Sequence, residues 1–296
     1  MHVLIIGLGS MGYGAALSLL KQGFQTTGYD LNAETLNKFE ADGGHSITRL
    51  EDVSQVDCVL IFVVNAMQAE HVLFQSALDR ALNPQALIIN CVTLAPSKAS
   101  EMAKCMHAKG FQYIDAPVSG GAAKARAGKM SIMASGRPDA MQRAQPLFAA
   151  ISEKVFHLGD EPGQGSQMKL INQLLAGVHI AAAAEAMNLA TALKMDLHEV
   201  IEVISGCAGT SWMFENRAPH IADGDYTPLS NVDIFVKDLG IVTDEATKHG
   251  VVTPLSVQAY QLYQQATEAG LGGEDDSAVA KVLAAQSGTQ LPGTES

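Results

Sequence analysis

A short apolar run, His2-Val3-Leu4-Ile5-Ile6, opens directly into Gly7-Leu8-Gly9-Ser10-Met11-Gly12, and a helical pattern follows as far as Gly23. No other stretch narrows the choice of fold so far. The continuous apolar run reads as a parallel strand covered on both faces. The first glycine allows the tight turn, the second lets a pyrophosphate approach the backbone, and the third lets the helix pack on the strand. The helix N-terminus then offers N–H groups and a favourable dipole to that phosphate. The next strand runs from Gln25 to Asp30 and ends in an acid where such a fingerprint needs a carboxylate for the ribose hydroxyls. Leu31, Asn32 and Ala33 follow, with no arginine to receive a 2′-phosphate, so NAD is expected rather than NADP.

The alternation of strand and helix continues. Strand patterns run from Val56 to Val64, ending in Asn65, and from Ala86 to Val92, ending in Thr93. In a doubly wound sheet the C-terminal ends of the strands face the ligand crevice. Val64, Asn65 and Thr93 are therefore candidates for touching the cofactor, although Asn65 and Thr93 equally suit helix caps. Phe111 to Asp115 is the next strand and leads into Ala116-Pro117-Val118-Ser119-Gly120-Gly121. Glycine-rich turns let N–H groups converge on a small anion. Ser119, Gly120 and Gly121 could hold a carboxylate in this way, and the alternative is a structural turn. Ser131 to Ala134 and Lys154 to His157 look like the last strands.

From Pro162 the pattern changes to one long helix reaching about Leu193, apolar on nearly every face and so expected to be buried all round. At ~1.5 Å per residue it extends on the order of 40 Å. Lys169 lies in its first turns, with Asn172 and Gln173 three and four residues later on the same side. A cation in an apolar helix is costly without a task or partner. Lys169 is accordingly the catalytic candidate, and a snorkelling lysine is the alternative. Further helical patterns cover Leu197 to Ser205, Val232 to His249, Pro254 to Ala269 and Ser277 to Ala285, with a frayed tail from Ser287 to Ser296. The expected organisation is an α/β Rossmann domain over residues 1–161 and an all-α domain over 162–296, joined by the long helix. Lys237, within Val236-Lys237-Asp238-Leu239-Gly240, either reaches a cofactor or substrate or forms a solvated pair with Asp238. Trp212, in Ser211 to Arg217, is either a pocket wall or core packing.

Composition excludes several functions. A net charge of -12 argues against nucleic-acid and anionic-membrane binding. No apolar run is uniform enough for a membrane span, since His179, Glu185 and Asn188 interrupt the longest. With the first strand starting at His2, no signal peptide is expected. The four cysteines have no short pairing, and the nine histidines lack metal-ligand spacing. A cytoplasmic protein without a disulfide framework or metal site is expected.

Taken in order, Gly-Leu-Gly-Ser-Met-Gly, Asp-Ala-Pro-Val-Ser-Gly-Gly, Gly-Gln-Gly-Ser-Gln-Met-Lys and Lys-Asp-Leu resemble the motifs of the β-hydroxyacid dehydrogenase family. The resemblance covers nearly the whole chain. It implies an active site in the cleft between a Rossmann and a helical domain, with Lys169 as catalytic lysine. It also implies Ser119, Gly120 and Gly121 on the substrate carboxylate, Thr93 and Lys237 on the cofactor, and assembly as a homodimer or homotetramer. Gln173 stands where many members have asparagine, so the amide meets the substrate on a longer arm. The segments Gln173 to Ile180, Ser211 to Arg217, Asp223 to Pro228, Val232 to Gly240 and Glu274 to Val279 resemble members acting on a small polyhydroxy acid. The expected reaction is oxidation of such an acid, with Lys169 neutral enough near pH 7–8 to accept the hydroxyl proton, against ~10.4 in water. Alternatives are a tartronate semialdehyde reductase, a 3-hydroxyisobutyrate-type dehydrogenase, or a non-catalytic dinucleotide-binding protein, which could dispense with the lysine.

Overall fold

The computed structural model describes residues 1–53, 56–76 and 78–294. The chain divides into two compact units, Met1–Lys169 and Leu170–Ser296. The first is built on six parallel strands: β1 (His2–Ile6), β2 (Gln25–Tyr29), β3 (His45–Ile47), β4 (Cys58–Ile61), β5 (Leu87–Asn90) and β6 (Gln112–Asp115). Their order is β3-β2-β1-β4-β5-β6, so the direction of winding reverses between β1 and β4. The short β3 is an edge strand that the sequence pattern did not announce. Along β1, Val3 and Ile5 enter one apolar cluster while Leu4 and Ile6 enter another. The two clusters occupy opposite faces, which is why the strand is apolar at every position. The register pairs Ile6 with Tyr29 and Ile61, and Asn90 with Asp115, so the carboxyl ends finish level along one edge.

The helices of this unit are α1 (Ser10–Lys21), α2 (Ala33–Ala41), α3 (Ala66–Glu70, continued by a π turn over His71–Gln75), α4 (Leu78–Ala81), α5 (Pro96–Ala108), α6 (Gly121–Arg126) and α7 (Pro138–Ile151). The last strands do not extend the large sheet. β7 (Val118–Ser119), β8 (Met130–Ala134) and β9 (Ser152–His157) form a second sheet, with β7 antiparallel and β9 parallel to β8. Asp115 and Ser135 make an isolated antiparallel bridge between the end of β6 and the end of β8.

The division of the chain falls inside α8 (Gln164–Ala192). Beyond it come α9 (Leu197–Ser205), α10 (Trp212–Asp223), α11 (Val232–Lys248), α12 (Pro254–Glu268), a 3-10 turn (Asp276–Ala278) and α13 (Val279–Ser287). Their core gathers Ile180, Ala184 and Met187 of α8 with Phe214, Phe235 and Tyr263, the last two rings stacked at 5.2 Å. α10 is absent from the sequence reading because Pro219 and its polar residues blur the helical period. Ser211 starts it, its hydroxyl accepting from the Phe214 N–H.

Three expectations are corrected here. α8 is not buried all round: Met168, Ile171, Leu175 and Leu189 are each between 47% and 61% exposed. Its alanines give a low-relief surface that the core covers on one side only. By length and composition alone, α8 is also apolar enough to cross a membrane, its polar interruptions notwithstanding. Finally, the tail is not frayed as far as it is described. Leu291 is buried, and Gly293 lies against Gly224 so closely that a Cβ on either would collide with the other's backbone. Residues 295 and 296 of that tail lie outside the described residues. Cys58 in β4 and Cys91 just after β5 are buried and their thiols are pushed up by burial, whereas Cys105 and Cys207 are exposed.

Candidate active site

The three glycines of the first loop have different surroundings. Gly7 has φ +91°, and a Cβ there would lie 2.8 Å from the Phe62 carbonyl oxygen. A Cβ on Gly12 would fall 1.9 Å from the Gly7 carbonyl oxygen, so this glycine lets α1 close on the strand. A Cβ on Gly9 would meet nothing within 4 Å. Gly9 is also the N-cap of α1 and provides no side-chain acceptor for the first-turn N–H groups. Those donors and the open space at Gly9 fit a dinucleotide pyrophosphate.

Asp30 follows β2. Its Oδ2 accepts from the Leu8 N–H at 2.7 Å and its Oδ1 from the Asn32 N–H at 2.9 Å, which ties the acid to the glycine loop. A carboxylate has about four acceptor sites, so capacity for two hydroxyls remains. Leu31 beside it is 89% exposed, and Val64 after β4 is exposed as well. Asn65 caps α3, its Oδ1 accepting from the Gln68 N–H at 2.9 Å. Thr93 is not the N-cap of α5, which is Ala95.

Ser119 ends β7; Gly120, with φ +130°, is the N-cap of α6, and Gly121, with φ +72°, is its first residue. Four residues upstream, Asp115 has no exposed surface. Its Oδ2 accepts from the Gly163 and Ser166 N–H groups at 3.0 and 2.8 Å, and its Oδ1 from the Ser166 hydroxyl at 2.8 Å. Burial pushes its carboxyl up to about 6, against the pull of these donors. Gly165 completes the joint: its N–H donates to Ser135 Oγ at 2.9 Å, and a Cβ would lie 2.3 Å from the Met133 carbonyl oxygen. Lys169, three residues after Ser166, is 7% exposed.

In the second unit, Gln173 is buried and its amide is oriented at both ends. Asn172 Nδ2 donates to Gln173 Oε1 at 2.8 Å, and Gln173 Nε2 donates to Asp238 Oδ2 at 2.5 Å. Asp238, 2% exposed on α11, also pairs through Oδ1 with Lys237 Nζ at 2.8 Å. The Lys237–Asp238 pair is therefore not a solvated one. Trp212 is 51% exposed and does not pack in the core. Arg217 in the same run is buried and makes a fork of two hydrogen bonds to Asp276, at 2.5 and 3.0 Å.

Known proteins share this arrangement. Residues 2–159 match the family model described as the NAD binding domain of 6-phosphogluconate dehydrogenase, and residues 163–283 that of the NAD-binding region of NADP-dependent 3-hydroxyisobutyrate dehydrogenase. The chain is 49% identical to an L-threonate dehydrogenase of Cupriavidus necator over 98% of its length and 97% of the relative's. The chain belongs to the β-hydroxyacid dehydrogenase family. Within the family it is also 46% identical to the L-threonate dehydrogenase of Escherichia coli K12, over 100% of this chain and 98% of that one. A crystal structure of a 3-hydroxyisobutyrate dehydrogenase from Salmonella typhimurium superimposes with a TM-score of 0.91 at 46% identity, covering 95% and 99% of the two chains. This β-hydroxyacid dehydrogenase is an oxidoreductase that uses a nicotinamide dinucleotide.

Two acids in the family motifs have a place that the sequence reading left without a role. Asp115 and Asp238 are each fully enclosed and each bonded to a residue of α8. The available signal was a carboxylate in an otherwise apolar element, which is costly unless paired.

Proposed function

We propose that the enzyme oxidises L-threonate at the C2 hydroxyl to 2-dehydro-L-erythronate, with NAD as acceptor. The supporting observation is full-length identity of 44–49% to five L-threonate dehydrogenases. When bound, the dinucleotide supplies the hydride acceptor. In this reading Gly7, Leu8, Gly9, Ser10, Met11 and Gly12 receive the pyrophosphate, and Asp30 receives the ribose hydroxyls and repels a 2′-phosphate. Leu31 and Val64 flank the adenine half, while Asn65, Thr93 and Lys237 contact the remainder. Ser119, Gly120 and Gly121 hold the substrate carboxylate. Lys169 Nζ accepts the proton of the hydroxyl being oxidised, and returns it in the reductive direction.

Gln173 favours a polyhydroxy substrate. Its bonds to Asn172 and Asp238 leave one N–H and one acceptor site on a buried amide, a match for a hydroxyl. A methyl group in that place would leave both unpaired, which weighs against 3-hydroxyisobutyrate, the substrate in the name of the Salmonella structure. The domain roles follow as dinucleotide binding for residues 1–161 and substrate binding and dimerisation for 162–296. The apolar residues left open on α8 recur at sevens, Met168, Leu175 and Leu189, with Ala182 in register, as expected of a seam against a second copy in a homodimer or homotetramer. Four unpaired cysteines suit a reducing, cytoplasmic setting.

The test is a panel of L-threonate, 3-hydroxyisobutyrate and tartronate semialdehyde, each with NAD(H) and NADP(H). L-threonate with NAD is expected to give the highest kcat/KM, and a higher value for either competitor refutes the substrate assignment. Lys169→Ala is expected to keep NADH binding and lose ~100-fold or more in turnover; near-normal turnover removes the lysine from the mechanism.

A further inference from the structure

We infer that Asp115 is a positioning residue for the reaction, fixing the rotation of α8 about its own axis and with it the direction of the Lys169 amine. The inference rests on Lys169 being the proton carrier.

The first N–H groups of a helix have no partner within it, and a buried helix start needs acceptors from elsewhere. Here they come from a strand 48 to 51 residues earlier in the chain. A carboxylate so placed also faces the positive end of the helix dipole. Three bonds from two residues leave the helix little freedom to turn: Gly163 N–H and Ser166 N–H share Oδ2, and the Ser166 hydroxyl holds Oδ1. Gly165 presses the same turn against the backbone of β8 and β6, where a side chain has no room. Lys169 is three residues beyond Ser166, on the same helix face and about 4.5 Å further along the axis. A tilt or rotation of the first turn is therefore carried directly to its amine.

The same acid ends β6, and its backbone exchanges two hydrogen bonds with Ser135, its N–H donating to the Ser135 carbonyl at 3.0 Å and its carbonyl accepting from the Ser135 N–H at 2.8 Å. Ser119 follows four residues later. One buried group thus joins the strand that leads into the proposed carboxylate turn to the helix that bears the amine. Misplacement of a reacting group by ~1 Å can cost ~100-fold in rate, and a hydrogen bond to a charged group is worth about tenfold or more.

The experiment is a double-mutant cycle. Asp115→Ala and Ser166→Ala are made alone and in a Lys169→Ala background, with kcat, the KM for NAD and NADH binding by fluorescence read on the folded fraction. Alone, Asp115→Ala is expected to lower kcat ~100-fold and Ser166→Ala ~10-fold, with NADH affinity within about threefold. In the Lys169→Ala background neither lowers the rate further by more than about twofold, because the group they orient is gone. Additive losses, a parallel loss of NADH binding, or an unchanged kcat overturn the inference. If Asp115→Ala does not fold, the Ser166→Ala cycle decides alone. Normal turnover in Lys169→Ala by itself would instead fail the mechanism on which the inference rests.

Discussion

A carboxyl group that water does not reach binds its proton more tightly, and Asp115 titrates at about 6 for that reason. In the unfolded chain it titrates near the ordinary aspartate value of ~3.9. Between those two values the native state holds more protons than the unfolded one, so the Asp115 contribution to stability is full below about pH 4 and is lost as the pH rises through 6. The difference is on the order of 3 kcal/mol. Asp115→Asn has no such titration. Urea midpoints of the two proteins should therefore diverge from pH 4 to 7, the wild type falling relative to the variant; a constant difference would contradict the raised value. At Asp30 the expected effect is on selectivity. Asp30→Asn keeps an acceptor for the Leu8 N–H but removes the charge, so kcat/KM with NADP should rise ~10-fold with little change in Tm. The place of Asp30 against the glycine loop was readable from spacing alone, because the fingerprint fixes its distance from the glycines. Asp115 and Asp238 were not, since their partners lie 51 and 65 residues away and no local pattern reports them.

At the level of elements, the parallel strands and their flanking helices were legible because both faces of the sheet are covered, which writes unbroken apolar runs into the sequence. What escaped was short, exposed or irregular: the edge strand β3, the two-residue β7, and α10 with its internal proline. The sequence pattern does not separate the second sheet from the first, because β8 carries the same apolar signature. Pairing partners are not encoded in the pattern of one strand. The glycine loop offers a separation of folding from binding. Gly9→Ala should fold with an unchanged Tm and bind NADH ~10-fold more weakly, since its side chain would meet no protein atom but would enter the space proposed for the pyrophosphate. Gly12→Ala should unfold at lower temperature or fail to accumulate, because its methyl group would meet the Gly7 carbonyl. Equal effects of the two substitutions in calorimetry and NADH titration would contradict this division.

On the scale of the molecule, the open apolar seam of α8 is the feature that the pattern of the sequence misstated. Hydrophobic residues on nearly every face predict burial on every face, whereas the helical core covers only the face with Ala176, Ile180, Ala184 and Met187. If a second copy covers the remainder, Leu175→Lys together with Leu189→Lys should convert the oligomer to monomer in light scattering, with secondary structure retained; an unchanged mass would place the assembly surface elsewhere. The distribution of thiols has a practical use in the same measurements. The two exposed sulfhydryls, at Cys105 and Cys207, fall one in each unit while the other two are buried. Maleimide dyes can therefore be attached without engineering a single residue, giving the native enzyme one label in each unit for energy-transfer measurements.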